Sequence, residues 1–356
     1  MRRALWLLAV LAMQPAQAAT ERVGSLGGIA VIDRLDVADL PAGQTQRFWF
    51  RAGDSQIGQD WLVPVIVVKG ARPGPRLLVT AGIHGDELNG IDVIHQLVRG
   101  LAPADLAGTL VAVPGLNTPG LLRSTREFTP DYSHASPNLN REMPGDENGD
   151  GVEHYAGRLW HRLLRPNADE AVDLHTQSRG TAYVLYAFAS TPRAQRMANL
   201  MGPDVIKLDT GEKGALENEL VRDGVPAITL ELGTPEVFNP EMVRRGLAGL
   251  HNLMREKGMI AGAVVEPKGV FTGNRLAVVR APRGGWARLL VPLGGMARKG
   301  EPVATMADAF GRITDTLLAP ESGRISASFT DPRRERGSTI VRIIHMSDAP
   351  ECREGC

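Results

Sequence analysis

The sequence predicts an α/β protein: a mixed, mostly parallel sheet with helices on both faces, followed by a small C-terminal all-β unit. Three observations carry this. From residue 61 to residue 256, apolar runs of strand length alternate with amphipathic helical stretches, the pattern of a sheet covered by crossover helices. From residue 266 onward no amphipathic helix is visible, and short apolar runs recur between glycines and prolines, as in a compact β unit. The chain has 356 residues, 43% of them hydrophobic, enough for one large core and a smaller one.

The elements follow in order. Residues 1–18, MRRALWLLAVLAMQPAQA, read as a secretory signal peptide. Arg2 and Arg3 make a positive start, residues 4–13 a short apolar run, and Ala16-Gln17-Ala18 an A-x-A cleavage site. The run is too short for a membrane span, and no second long apolar run follows. The mature protein is expected to be exported to a bacterial periplasm; a retained N-terminal anchor is the alternative. Residues 20–75 alternate short apolar runs with Gly/Pro turns, and WLVPVIVVKG (61–70) and RLLVTAG (76–82) read as strands. Residues 88–98 follow as a helix with Leu88, Ile91, Ile94, His95 and Val98 on one face. GTLVAVPG (108–115) is a strand.

Residues 116–150 lack periodicity and are rich in Asn, Pro, Gly and Asp. A loop this long in a compact domain is either functional or disordered. Then come a helix at 151–164, a strand at 170–177 carrying Asp173-Leu174-His175, a helix at 191–202, a short strand at 204–209, a helix at 214–224 and a strand at 225–233. A long helix runs from 240 to 256, with Asn239 as N-cap and Pro240 at its first position. The expected organisation is a catalytic domain over 19–265, a β unit over 266–346 and a tail over 347–356. The tail holds the only two cysteines, Cys352 and Cys356; whether they pair or stay free is left open. Formal net charge is zero, with no long basic block, so a nucleic-acid partner has no electrostatic footprint.

Three polar residues fall at the ends of predicted strands: His84, His175 and Glu231. Ligands in open α/β sheets collect there. His84 and Glu87 stand three apart around a glycine-rich turn, and His175 ends a neighbouring strand. Two histidines and a carboxylate make a zinc ligand set that leaves one position open. Singly, an H-x-x-E near a helix start is more often a cap or a surface pair; the combination in matching contexts is the stronger signal. Asp173, two residues before His175, shares its strand face and suits a partner that orients the ligand. Glu231 ends an apolar strand, where burial raises a carboxyl pKa toward that of a general base; a structural ion pair with arginine is the alternative. Glu217 and Glu219 lie nearby on a helix expected to be exposed. Arg123, Arg126 and Arg141 on the long loop are candidates for an oxyanion or carboxylate. DENGDGVE (146–153) imitates a calcium loop, but its twelfth position is Gly157 where a bidentate Glu is needed.

HGDE at 84–87, Asn117 with Arg126 nine residues on, NLNREMPG at 138–145, DLHT at 173–176 and ITLELG at 228–233 occur in one order. Together they closely resemble the succinylglutamate desuccinylase/aspartoacylase branch of the zinc carboxypeptidase superfamily, over roughly residues 60–345. The resemblance implies a zinc carboxypeptidase-like fold with one zinc ion per chain on His84, Glu87 and His175. It implies Glu231 as general base, Arg126 polarising the scissile carbonyl, and Asn140 and Arg141 holding a free carboxylate of the substrate. Asn138 stands where the family often has Asp, which removes a charge that would raise ligand basicity, and Glu142-Met143 replaces the usual small-then-Phe pair. The terminal unit resembles barrel-sandwich carrier domains, yet LAPESG at the predicted hairpin tip has no lysine to carry a cofactor. Lys299, the nearest, reads as solvated. This unit is expected to wall the pocket or mediate assembly; oligomerisation is left open.

The function so implied is an exported zinc-dependent hydrolase. Its substrate would be a small N-acyl amino acid or short peptide with a free carboxylate. A carboxypeptidase or amidase acting on cell-wall peptides is the alternative, and a non-catalytic binding protein on the same scaffold the third reading.

Overall fold

The computed structural model describes residues 19–129, 137–352 and 355–356; the signal-peptide reading of residues 1–18 lies outside them. The first twelve strands of the chain are β1 (Glu21–Leu26), β2 (Ile29–Arg34), β3 (Gln44–Asp54), β4 (Asp60–Lys69), β5 (Arg72–Ala81), β6 (Ala107–Pro114), β7 (Glu170–His175), β8 (Thr181–Tyr183), β9 (Leu185–Ala189), β10 (Val205–Leu208), β11 (Ala227–Leu232) and β12 (Phe271–Gly273). All but β8 form one sheet in the order β1-β2-β3-β4-β6-β5-β7-β11-β9-β10-β12. The central run β6-β5-β7-β11 is parallel, and β9 joins it antiparallel. Every residue of β7 and β11 is buried, as expected where helices cover both faces.

The helices are α1 (Asn89–Gly100), α2 (Thr118–Arg123), α3 (Gly151–Leu159), α4 (Pro192–Leu200), α5 (Leu216–Arg222) and α6 (Pro240–Glu256). Two cores result. On one face Val93, Ile94, Met197 and Leu253 from α1, α4 and α6 pack on Val79, Ala112 and Ile228. On the other, Tyr155, Leu159, Leu216 and Leu220 from α3 and α5 pack on Leu78, Val111 and Ala227. Helix α6 starts as its sequence requires: the Asn239 Oδ1 accepts from the Glu241 and Met242 backbone N–H groups, with Pro240 next.

Three expectations are corrected. The buried stripe of α1 is Gly90, Val93, Ile94, Leu97 and Val98, and His95 is exposed. The helix begins at Asn89, and Gly90 lies so close to β7 that an added Cβ would sit 2.6 Å from Leu174 Cβ, which rotates the face by one position. The irregular stretch 116–150 contains α2 and a 3-10 turn, Leu139–Arg141; its calcium-like segment is a turn plus a capping box, Asp150 and Glu153, at the start of α3. Strand β9, next to β11 in the middle of the sheet, is absent from the sequence reading.

The terminal strands are β13 (Arg275–Arg280), β14 (Gly285–Leu289), β15 (Met296–Ala297), β16 (Pro302–Ala307), β17 (Ile313–Leu318), β18 (Gly323–Phe329), β19 (Arg333–Arg334) and β20 (Thr339–His345). They form two small antiparallel sheets, β13-β20-β18-β15 and β17-β16-β14-β19, around Val279, Val303, Met306, Ile325 and Ile343. The two units exchange edge strands. Residues 271–273, as β12, extend the large sheet beside β10, and β8 pairs with β18 of the terminal unit. Lys299 is exposed and pairs with Glu321. Cys352 and Cys356 form a disulfide. Among the described residues no helix is long and apolar enough to cross a membrane.

Candidate active site

Strand β5 ends at Ala81, and the chain turns through Gly82 at φ +69°, a conformation that favours glycine. At Gly85 an added Cβ would lie 2.0 Å from the Gly120 carbonyl carbon, so α2 seats directly on this turn. The turn presents His84 and Glu87, both 2% exposed. The next strand ends carry the rest. Asp173 and His175 on β7 pair in register with Thr229 and Glu231 on β11. Alternate residues share a face, so all four lie on one side of the sheet. Phe188 and Tyr186 of β9 continue the two rungs.

The structure brings the three predicted ligands together. His84 Nδ1 lies 2.9 Å from Glu87 Oε1, and His175 Nδ1 lies 2.9 Å from Glu87 Oε2; one ligand atom from each residue falls within 4.8 Å of the others. The outer ring nitrogens are occupied: His84 Nε2 meets Asn138 Oδ1 at 3.2 Å, and His175 Nε2 meets Asp173 Oδ2 at 2.8 Å. Asp173 Oδ1 in turn accepts from Thr80 Oγ1 at 2.6 Å. Two inward imidazole nitrogens, a carboxylate and orienting partners outside them suit a divalent zinc ion. Burial opposes charge on Glu87, yet His84 and His175 hold its carboxyl well below the usual range. Burial lowers His84. His175 is raised despite its burial, because Asp173 and Glu87 flank it.

Arg126 reaches the same point. Asn117 caps α2 through Gly120 N and ties the segment to Ile83 O and Glu127 O. Arg126 Nη1 then donates to Glu87 Oε1 at 3.1 Å and Ser178 Oγ at 2.7 Å. Arg123 is exposed and does not line the cavity. Glu231 is 8% exposed, and its Oε2 has no hydrogen-bond partner among the described residues. Burial, with Glu87 adding to it, pushes this carboxyl well above its usual range, against the pull of His175 and Arg126. Asn140 and Arg141 line the same cavity. Asn140 Oδ1 accepts from Leu216 N at 2.8 Å, and Arg141 pairs with Glu212 at the rim.

Residues 73–257, just over half of the chain, match the model of the succinylglutamate desuccinylase/aspartoacylase catalytic domain. The chain belongs to the succinylglutamate desuccinylase/aspartoacylase family. Among its curated relatives is an N-alpha-acetyl-L-2,4-diaminobutyric acid deacetylase of Halomonas elongata, 28% identical over 81% of this chain and 87% of that protein. A succinylglutamate desuccinylase of Serratia proteamaculans is 26% identical over 63% and 70%. A family structure from Rhodobacter sphaeroides superposes with a TM-score of 0.74 at 24% identity, covering 87% of this chain and 98% of that one. The ectoine utilization protein EutE of Ruegeria pomeroyi gives 0.76 at 21% identity over 87% and 98%. These two structures establish the shared fold.

Within this family fold the site holds residues the sequence reading passed over. Ser178, just past β7, contacts Asp86, Glu87 and Arg126; its short polar loop gave no periodic signal. Thr229 was legible through its alternation with Glu231. Glu217, placed by the sequence on an exposed helix, is 9% exposed and lines the cavity. Helix α5 lays its first turn against the sheet, burying Leu216, Glu217 and Asn218 together. Glu219 points away: it accepts from Gly214 N and pairs with Arg222. The terminal unit supplies Leu276, Ser326 and Arg342 to the cavity, whose volume is about 330 Å³.

Proposed function

We propose that this protein is an exported zinc-dependent deacylase that hydrolyses the amide bond of N-acyl amino acids with a free carboxylate. The observation that carries the reading is the meeting of His84, Glu87 and His175 beside the unpartnered Glu231 Oε2 in a family catalytic domain. His84, Glu87 and His175 would hold one zinc ion, which supplies Lewis acidity to the carbonyl and to the attacking water. Glu231 takes a proton from that water as it adds to the acyl carbon. It passes the proton to the amide nitrogen as the C–N bond breaks, leaving an acyl carboxylate and an amine. Arg126 donates to the developing oxyanion. Arg141 offers its guanidinium, and Asn140 its amide N–H, to the substrate carboxylate; the Asn140 carbonyl end is already engaged with Leu216.

The curated relatives named above act on N-acylated amino acids by their names, which supports the same class here. The cavity of about 330 Å³ is at the small end for ligand sites, which favours a small substrate over a cell-wall peptide. Export to the periplasm rests on the leader at residues 1–18 and is supported by the Cys352–Cys356 bridge, a feature of oxidising compartments. N-terminal sequencing of protein recovered from periplasm tests it, with cleavage after Ala18 expected.

The decisive assay offers zinc-loaded protein acetylated and succinylated amino acids beside short wall peptides. Turnover of the N-acyl amino acids, abolished by chelation, is expected; turnover of the peptides alone would overturn the deacylase reading. Glu231→Gln should lower kcat by about 10²–10⁴ with zinc content unchanged. Unaltered turnover in that variant would remove Glu231 from the mechanism. Protein that binds no stoichiometric metal would favour a binding role instead.

A further inference from the structure

Arg126 lies past the end of α2 in chain that is neither helix nor strand, and its side chain is 32% exposed. A long side chain so placed loses conformational freedom when it is fixed. It needs an anchor if its guanidinium is to stand ready at the scissile carbonyl. Three atoms meet its Nη1: Glu87 Oε1 at 3.1 Å, His84 Nδ1 at 3.2 Å and Ser178 Oγ at 2.7 Å. The first two belong to the proposed metal ligands, and a cation held by those residues repels a guanidinium. Ser178 is outside the ligand set and makes the shortest of the three contacts.

The hydroxyl of Ser178 is itself directed. A guanidinium can only donate, so Ser178 Oγ accepts from Arg126 and its own single proton goes elsewhere. Two carboxylate oxygens are in reach, Asp86 Oδ1 at 3.2 Å and Glu87 Oε1 at 3.0 Å. Glu87 is committed to the metal in the proposed reading. Asp86, the third residue of HGDE, has no part in that reading and is 3% exposed. Its other oxygen, Oδ2, accepts from the Arg179 backbone N–H at 3.1 Å, so both of its oxygens accept from one loop, residues 176–180. Thr176 N ties the same loop to Glu87 Oε2 at 3.1 Å. Asp86 thus fixes where Ser178 stands and which way its proton points.

We propose that Ser178 is the positioning residue of Arg126. The Asp86 carboxylate accepts the Ser178 O–H, and the Ser178 oxygen holds one N–H of Arg126, leaving other donors of the fork for the substrate oxyanion. Neither Asp86 nor Ser178 touches the reacting atoms. A carboxylate in place of Ser178 would hold Arg126 more strongly, but it would neutralise the charge that the oxyanion needs; a hydroxyl holds it and leaves that charge in force. The proposal rests on the deacylase reading for what Arg126 does.

The test has a structural arm and a kinetic arm. Crystal structures of the zinc-loaded protein and of zinc-loaded Ser178→Ala are compared. The Arg126 guanidinium is expected to keep its contact with Ser178 in the first and to leave that position in the second, with the metal site full in both. The kinetic arm uses the N-acyl amino acid turned over fastest in the assay above. Ser178→Ala should lower kcat about 10–100-fold, the worth of one hydrogen bond to a charged group, with KM and zinc content unchanged. Ser178→Thr, which restores a hydroxyl, should recover most of the loss. Asp86→Asn should also lower kcat, because an amide cannot accept on both sides. Its loss should not multiply with that of Ser178→Ala in the double variant. An Arg126 that keeps its place in Ser178→Ala, an unchanged kcat there, a loss that Ser178→Thr does not recover, or losses that multiply would overturn the proposal. If the wild-type protein turns over no N-acyl amino acid, the deacylase reading fails, and the structural arm alone decides whether Ser178 holds Arg126.

Discussion

Glu217 and Glu231 show what burial does to a carboxyl group. Burial, then Asp173, pushes the Glu217 carboxyl above its usual range, so the folded state holds its proton more tightly than the unfolded state does. The associated cost is absent at pH values below the ordinary carboxylate range. It grows as pH rises from there through the raised folded value, because the folded state binds more protons over that window. Glu217→Gln should therefore raise Tm at neutral pH and leave it unchanged at strongly acidic pH, as melting curves across pH will show. Asn138 makes a second residue-level prediction. It meets His84 Nε2 through a neutral oxygen, so Asn138→Asp should tighten zinc affinity by about tenfold or more, read by competition with a chelator. At this scale the cluster of His84, Glu87 and His175 was legible, because the three residues sit at strand ends and a turn. Glu217 was not: a glutamate in a seven-residue helix carries no periodic sign of which face meets the sheet.

Among the elements, α6 was legible to the residue, because Asn239 and Pro240 are a cap and a first-turn residue with distinct physical roles. Removing that cap with Asn239→Ala should cost about 1 kcal/mol, visible as a shift in the denaturation midpoint with unchanged slope. The face of α1 was misread by one position, since the contact that decides it is made by Gly90, a residue with no side chain to count. Strand β9 escaped for a different reason. Only Val184 separates it from β8, and the two strands belong to different sheets; no turn residue marks the switch. The consequence is local: the wall of Tyr183 and Tyr186 beside Glu231 could not be placed from sequence alone.

For the whole molecule, composition and alternation were enough to separate an α/β body from a β unit, but not to show that they exchange edge strands. That exchange depends on pairing between residues far apart in sequence, β8 with β18 and β10 with β12. A chain ended at residue 265 loses β12 from the large sheet and leaves β8 unpaired. It also uncovers Tyr183, Val184 and Tyr186, which pack with Ala327 and Ile344. Such a truncation is expected to aggregate or to melt well below the full chain, and to lack hydrolytic activity. Independent, cooperative melting of the shortened chain at the full-length temperature would contradict this.

The wall formed by Leu276, Ser326 and Arg342 belongs to a unit with its own core, whereas His84, Glu87 and His175 hang from the large sheet. In the proposed reading, one wall of the substrate cavity and the metal ligands are thus mounted on separate frames. Mutational drift on the terminal side can retune which amine is admitted without moving a ligand atom. A combinatorial library confined to those three positions is therefore the economical route to new selectivity, and its members should retain zinc whatever substrate they come to prefer.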